Sequence, residues 1–186
     1  LPKAELHVHH VGSASPDTVA RLAARHPDSP VPADPQALAE YFTFTDFGHF
    51  IEVYLSVVDL LRTPEDIWTL THEVGRDLAA QNVRYAELTM TPYPSIVRGI
   101  AAEAYVEAIE DARRAVERDV AHELRWIFDI PGESGVASSD VTLDTALRLG
   151  PDALVGFGLG GPEQGVPRPQ FAPHFAAARA AGLHSI

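Results

Sequence analysis

Apolar and polar positions alternate along this chain in two rhythms, a short one of period two and a longer helical one, which replace each other several times. Residues 4–9 form a short apolar stretch ahead of the turn-prone pair Gly12-Ser13, which predicts a buried strand. Ser15, Pro16 and Asp17 then open a helix, with Ser15 as N-cap and Pro16 in the first helical position, where its missing N–H is no loss. Pro27, Pro30, Pro32 and Pro35 crowd the next segment and predict a loop. A helical pattern covers 47–61, and Thr63-Pro64-Glu65-Asp66 opens another helix that reaches Gln81. Residues 83–90 predict a second strand, stopped by Thr91-Pro92. An amphipathic helix over 100–119 leads to a third strand over 123–130, stopped by Pro131-Gly132. A helix over 139–149 is followed by a fourth strand over 153–159, which runs into Gly160-Gly161-Pro162. The last helix covers 169–181, with Gly182 suited to a left-handed C-cap, and residues 183–186 begin a fifth strand.

Strands alternating with helices predict an α/β fold with a parallel sheet wrapped by helices. No Gly-rich phosphate loop follows the first strand, which argues against a nucleotide-binding doubly wound sheet. A TIM-type (β/α)8 barrel fits better, and a complete one needs roughly 200 residues or more. With 186 residues and four full strands, the chain is expected to be a single domain, 1–186, covering roughly the first four β/α units. Half a barrel exposes strand edges and apolar interior, so the segment is expected to exist folded only with the missing C-terminal half as its partner. A small open five-stranded α/β domain is the alternative reading. The opening Leu1, in place of Met, is expected to follow residues outside this numbering.

Composition narrows the function. Hydrophobic residues make up 46% and charged residues 22%, an ordinary soluble balance. No apolar run is long enough for a membrane span, and the start lacks a secretory pattern. The absence of cysteine excludes disulfides and thiolate metal ligands, and suits a cytoplasmic protein. The formal net charge is -12 and Lys3 is the only lysine, with no basic face for a nucleic acid polymer. A small molecule or another protein remains as partner.

The informative chemistry is His7-Val8-His9 at the end of the first strand. Side chains alternate across a strand, so His7 and His9 share a face, with Glu5 expected one step deeper on it. In a β/α barrel the inward face at the C-terminal end of a strand is where active sites are built. Two imidazoles there can reach one cation at about 2.0–2.1 Å per nitrogen. Taken alone, His-x-His is as readily structural; on the first strand of a repeated β/α chain it points to a metal. His10 faces the other way and is expected to pack or be solvated. His26, His72 and His122 are expected at the surface without partners, and His49, His174 and His184 are read as structural.

The opening LPKAELHVHHVGSASPDTV resembles the start of the adenosine deaminase family, whose pattern is P-K-x-E-L-H-x-H-x-x-G followed by a helix. VRYAELTMTP resembles the family's second strand and LVGFGLGGPE its fourth. ARAAGLHSI resembles the helix and strand that precede its H-A-G-E motif, so the likeness covers the whole chain in order. Within the family it looks closest to the branch that includes aminodeoxyfutalosine deaminases of the menaquinone route. The resemblance implies a mononuclear zinc hydrolase acting on a purine nucleoside. His7 and His9 match the first two zinc ligands, and Gly161 matches the glycine whose backbone N–H addresses the purine. Phe42, Phe44, Phe47 and Phe50 fall where the family has its apolar gate, although each also reads as ordinary helix core. The implied reaction is hydrolysis by water that zinc activates, turning adenine into hypoxanthine with release of ammonia. A third histidine, an aspartate and the proton-donating glutamate are expected after Ile186, so the catalytic acid lies outside this segment.

One departure bears on substrate. Many family members carry an acid two positions after the second histidine, where it holds the ribose 5′-hydroxyl; here Val11 offers only apolar contact. Substrate binding is therefore assigned to His9, Val11, Gly161 and Arg168, with a 5′-extended nucleoside, 6-aminodeoxyfutalosine, favoured over adenosine. A terminal carboxylate on that extension calls for a guanidinium, for which Arg168 and Arg98 are candidates. Two other readings stay open. One is another metal-dependent hydrolase of the same barrel type, whose two-metal form bridged by a carboxylated lysine is disfavoured by the position of Lys3; the other is a truncated, non-catalytic half-barrel that binds a metal or a partner.

Overall fold

The computed structural model describes residues 1–186. Its five strands are β1 (Lys3–His9), β2 (Val83–Met90), β3 (Glu123–Pro131), β4 (Leu154–Gly160) and β5 (His184–Ser185). They form one parallel sheet whose spatial order is the order in sequence, β1-β2-β3-β4-β5. A doubly wound sheet reverses its order at a switch point; an unreversed progression is the arrangement from which a barrel is built.

Between β1 and β2 lie α1 (Pro16–Arg25), α2 (Pro35–Tyr41), α3 (Phe47–Val58) and α4 (Pro64–Ala80). Then α5 (Pro92–Val97) and α6 (Ala102–Asp119) precede β3, α7 (Gly135–Asp144) precedes β4, and α8 (Ala172–Ala180) precedes β5. Two of these helices depart from expectation. In the proline-rich segment, Asp34 accepts from the N–H groups of Gln36 and Ala37 with Pro35 in the first turn, and α2 follows. It buries only Leu38, too little apolar repeat to register as a helix in sequence. Thr91-Pro92 ends β2 as expected but also starts α5, again with proline in the first turn.

The boundaries shift for physical reasons too. α3 stops at Val58, short of residue 61, and α7 begins at Gly135, ahead of residue 139. Beyond α7, residues Thr145–Leu149 widen into a π-type turn. There Ser138, Thr142 and Thr145 turn their hydroxyls back onto the carbonyls of Gly135, Ser138 and Val141, a habit that bends helices. A 3-10 turn over Arg168–Phe171 takes the place expected for the start of α8. Gly182 does adopt the left-handed conformation, with φ of 91°.

The core lies between the sheet and its helices. Ala86, Leu88, Met90, Leu124, Trp126, Phe128, Ile130 and Phe157 face it from β2, β3 and β4, all fully buried. The Trp126 indole donates to Glu110 on α6 at 2.7 Å, so the one polar atom of the largest core side chain is satisfied. β1 does not match the buried strand expected of it: Leu6 is 60% exposed, because β1 has β2 as its only neighbour in the sheet. No helix is long and apolar enough to cross a membrane.

His26, His72 and His122, expected at the surface, have partners instead, and His174 is structural as expected. His72 is buried, stacks on Trp68 with ring centroids 4.7 Å apart, and meets Glu73 at 3.1 Å. His122 is buried with Nδ1 on the Val83 carbonyl at 3.0 Å, and His174 is buried with Nε2 on Asp140 at 2.8 Å. His26 meets Asp66 at 2.9 Å. Each gains a partner from an element distant in sequence, or from a side chain whose direction the residue order leaves open.

Asp66 closes the first helical layer. It is 1% exposed and accepts from the Thr63 N–H and hydroxyl, from Arg25 and from His26, while Thr63 completes a capping box on α4. Burial pushes its pKa up, but the hydrogen bonds from Thr63, His26 and Arg25 outweigh that and hold it below the usual value. A depressed carboxylate contributes stability above its unfolded pKa and loses it as pH falls through the folded one. Asp66→Ala is expected to destabilise the fold by about 3 kcal/mol at pH 7. Thermal melts of both proteins should show the difference shrinking as pH drops below about 4; a difference independent of pH would contradict the ion-pair account.

Candidate active site

Past the helix-facing core, the other face of the sheet carries the polar chemistry. Register pairs His9 with Thr89 and Thr89 with Ile127 across β1, β2 and β3, with Thr91 and Asp129 next towards the C-terminal ends. The pairing slips by one residue between Glu5 and Val8, so strict alternation is broken there. Glu5 stands opposite Ala86 of the core, and the expectation that it lies beneath the histidines does not hold. Such bulges re-aim side chains near active sites. Val8 packs on the core, while His7 and His9 lie side by side with ring centroids 5.2 Å apart and planes tilted by 38°.

Neither ring of this pair hydrogen-bonds to a protein group, although both lie at the strand end where a ligand would be met. Partial burial, and then the neighbouring His7, hold the His9 pKa below its ordinary value. Neutral imidazoles with free nitrogens are the form that ligates a metal. His10 turns away, as expected, and is buried with Nε2 against the Thr71 hydroxyl at 2.9 Å. Since that hydroxyl also bonds the Ile67 carbonyl at 2.8 Å, His10 serves as donor and ties the end of β1 to α4.

No group of three histidines or carboxylates converges anywhere in the chain. The donor set at His7 and His9 thus fits part of a zinc shell, two nitrogens of the three or four protein ligands such sites use. Lys3 sits exposed at the opposite end of β1, so no lysine of this chain can bridge two metals at the pair.

The remaining candidates divide. Gly161 follows β4 with φ of 82°, and a Cβ there would collide with the Glu133 carboxylate. Arg168 donates to the carbonyls of Gly160 at 3.5 Å and Gly161 at 3.3 Å, so its guanidinium is docked on the same loop. Val11 lies in a short 3-10 turn, half-buried and packed on the core. Arg98 is elsewhere, paired with Asp59 at the end of α3 and reaching the Val58 carbonyl at 3.4 Å. The aromatic set forms a ladder. Tyr54, close to Gly12, stacks with Phe50 at 6.2 Å; Phe50 meets Phe44 at 5.2 Å and Phe47 at 5.9 Å, and Phe47 is 76% exposed. A helix-core role for Phe44 and Phe47 is thereby set aside.

Sequence reasoning passed over the acid side of the site. Asp129 is 5% exposed near the end of β3, and Thr91 donates to its Oδ1 at 2.5 Å. Burial, helped by Glu133 and opposed by Thr91 and His7, pushes its pKa up to about 6. The same two carboxyls, after burial, raise the pKa of Tyr54, which places its phenol in the field of both. The available signal was an acid near the end of the apolar run WIFDI, with glycine at every second position of VGFGLG opposite. A separate polar cavity of about 540 Å³, bounded by Arg84, Arg113, His122 and Arg125, lies at the other end of β2 and β3, remote from the histidines.

The chain matches the adenosine deaminase family pattern over residues 2–186. It is 66% identical to an aminodeoxyfutalosine deaminase of Streptomyces avermitilis, across 100% of this chain and 52% of that protein. The crystal structure of an adenine deaminase from Arthrobacter aurescens superposes with a TM-score of 0.88 at 30% identity, over 99% of this chain and 56% of the other. An amidohydrolase from Burkholderia ambifaria, solved with bound Zn, superposes with a TM-score of 0.84 at 28% identity, over 100% of this chain and 51% of the other. The chain thus spans about half the length of the relatives it matches, and its sheet is the corresponding half of a β/α barrel.

If His7 and His9 supply two of few ligands, His7→Ala and His9→Ala should each bring zinc in the full-length protein from about one ion per site to near none after gel filtration. Elemental analysis checks this. Full retention in both variants, or two ions per site in the unaltered protein, would contradict it.

Proposed function

The chain belongs to the adenosine deaminase family, and on that premise we propose that it is the first half of a zinc-dependent aminohydrolase that converts the adenine ring of a nucleoside to hypoxanthine. The observation that carries this reading is the His7–His9 pair, side by side and unpartnered at the C-terminal end of β1, with His9 partly desolvated. The rest of the metal shell and the proton-donating acid are assigned to the second half of the barrel, which makes that half the chain's obligatory partner. A cytoplasmic setting suits a cysteine-free enzyme of small metabolites.

His7 and His9 would hold the metal, and zinc, when bound, supplies the Lewis acidity that makes water nucleophilic near neutral pH. The other residues bind and orient. His10, through Thr71, fixes the strand end so that both imidazoles keep one direction. Glycine at 156, 158 and 160 lets Ile127, Ile186 and Asp129 close in on β4, so that the Asp129 carboxyl lies against the backbone of Gly160. Gly161 offers a backbone edge at the top of that strand. Overall, one water is consumed, the C–N bond to the amino group breaks, and ammonia leaves.

A 5′-extended nucleoside, 6-aminodeoxyfutalosine, is the favoured substrate. Position 11 holds no acid for a free 5′-hydroxyl, and the ladder of half-buried Tyr54 and exposed Phe50, Phe44 and Phe47 offers an aromatic extension an apolar surface leading out from Gly12. Arg168 stands near the mouth for a terminal carboxylate, whereas Arg98 is already paired with Asp59. The 66% identity to an aminodeoxyfutalosine deaminase supports the same choice.

The full-length protein should therefore show a kcat/KM for aminodeoxyfutalosine at least about tenfold above that for adenosine, the value of one missing charge-assisted hydrogen bond. The absorbance change from adenine to hypoxanthine reads both reactions. Faster turnover of adenosine or of free adenine would overturn the substrate assignment, and no ammonia from any of the three would overturn the reaction.

A further inference from the structure

Asp129 is a buried carboxyl that the reaction above does not use. It lies on the inward face of β3, between the histidines of β1 and the glycine wall of β4, one step nearer the mouth than the pair Thr89–Ile127. Thr91 takes Oδ1 at 2.5 Å, and no arginine, lysine or histidine forms an ion pair with it. Elsewhere in the molecule the buried acids Asp66 and Glu110 are paired with arginines. A buried carboxylate left without a cation is destabilising unless neutral donors surround it.

The second oxygen has been given space. A Cβ on Gly160 would stand 2.6 Å from Asp129 Oδ2, and one on Gly158 would stand 3.5 Å from the Asp129 Cβ. Beneath it, Thr89 Oγ1 is buried with no hydrogen-bond partner. A carboxylate oxygen and a hydroxyl, both on the inward face and both short of partners, describe a recess that a ligand with its own hydroxyls would satisfy.

Resting on the nucleoside reading above, we propose that Asp129, held by Thr91, is a specificity-determining residue that accepts a hydrogen bond from a hydroxyl of the substrate's sugar. The chemistry of the ligand leaves few other donors. An adenine nucleoside has donors only on its amino group and its sugar hydroxyls, and the amino group is the leaving group at the metal pair. Thr91 is a positioning residue, because it fixes which oxygen is free.

The test is calorimetric binding of three hypoxanthine nucleosides (inosine, 2′-deoxyinosine and 3′-deoxyinosine) to the zinc-loaded full-length protein. The unaltered protein should bind one of the two deoxy compounds at least about tenfold more weakly than inosine. Asp129→Ala should bring that ratio to near unity. Asp129→Asn, which keeps the shape and secures a folded comparison, should lower it at least about threefold, and Thr91→Val should lower it in the same sense. A ratio unchanged in both Asp129 variants, an equal loss for all three nucleosides, or an unaltered protein blind to both hydroxyls would overturn the proposal. Binding with the expected ratios but no ammonia release from aminodeoxyfutalosine, adenosine or adenine would instead refute the deaminase reading and leave this contact standing.

Discussion

Within the sheet β1 has one neighbour, β2, and everything at the site depends on how that pairing is held. The Lys3 N–H bonds the Asn82 carbonyl at 2.9 Å at one end, and the His10 N–H bonds the Thr89 carbonyl at 3.0 Å at the other. Between them the register shifts twice, after Lys3 and again between Glu5 and Val8, beyond which Val8 enters the core and His9 stands opposite Thr89. The buried His10–Thr71 bond then pins the strand end to α4. A strand so exposed on its other side would otherwise be free to shift register, and a one-residue slip would turn both imidazoles away from the mouth.

The charge distribution separates structure from chemistry. The acids that stabilise the helical layer are fully engaged: Asp66 by Thr63, Arg25 and His26, and Glu110 by Arg113 and the Trp126 indole. At the mouth the engagement is incomplete. Asp129 has one hydroxyl donor, Thr89 has none, and the two histidine rings are free. Buried groups left short of partners, and exposed imidazoles beside them, are what a ligand and a metal complete, and they cluster where the C-terminal ends of β1, β2 and β3 meet.

Much of this was legible from residue order. The β/α rhythm, the four main strands and the inward His7–His9 pair follow from periodicity, because each is a repeat long enough to outweigh local accidents. α2 and α5 were hidden, since seven and six residues carry too little apolar repeat and their proline starts read as loop. Glu5 was misplaced because alternation gives no warning of a bulge. Asp129, Tyr54 and Glu133 stayed invisible as site residues for another reason: their meaning comes from facing each other across elements, which only the folded chain brings together. His72, His122 and His174 show the same limit, their partners being set by packing.

If His7 and His9 jointly hold one zinc ion at the mouth of the barrel, anomalous diffraction at the zinc edge from crystals of the full-length protein should show a single peak within about 2.0–2.1 Å of a ring nitrogen of each histidine. A peak that touches neither ring, or two peaks sharing the site, would contradict it.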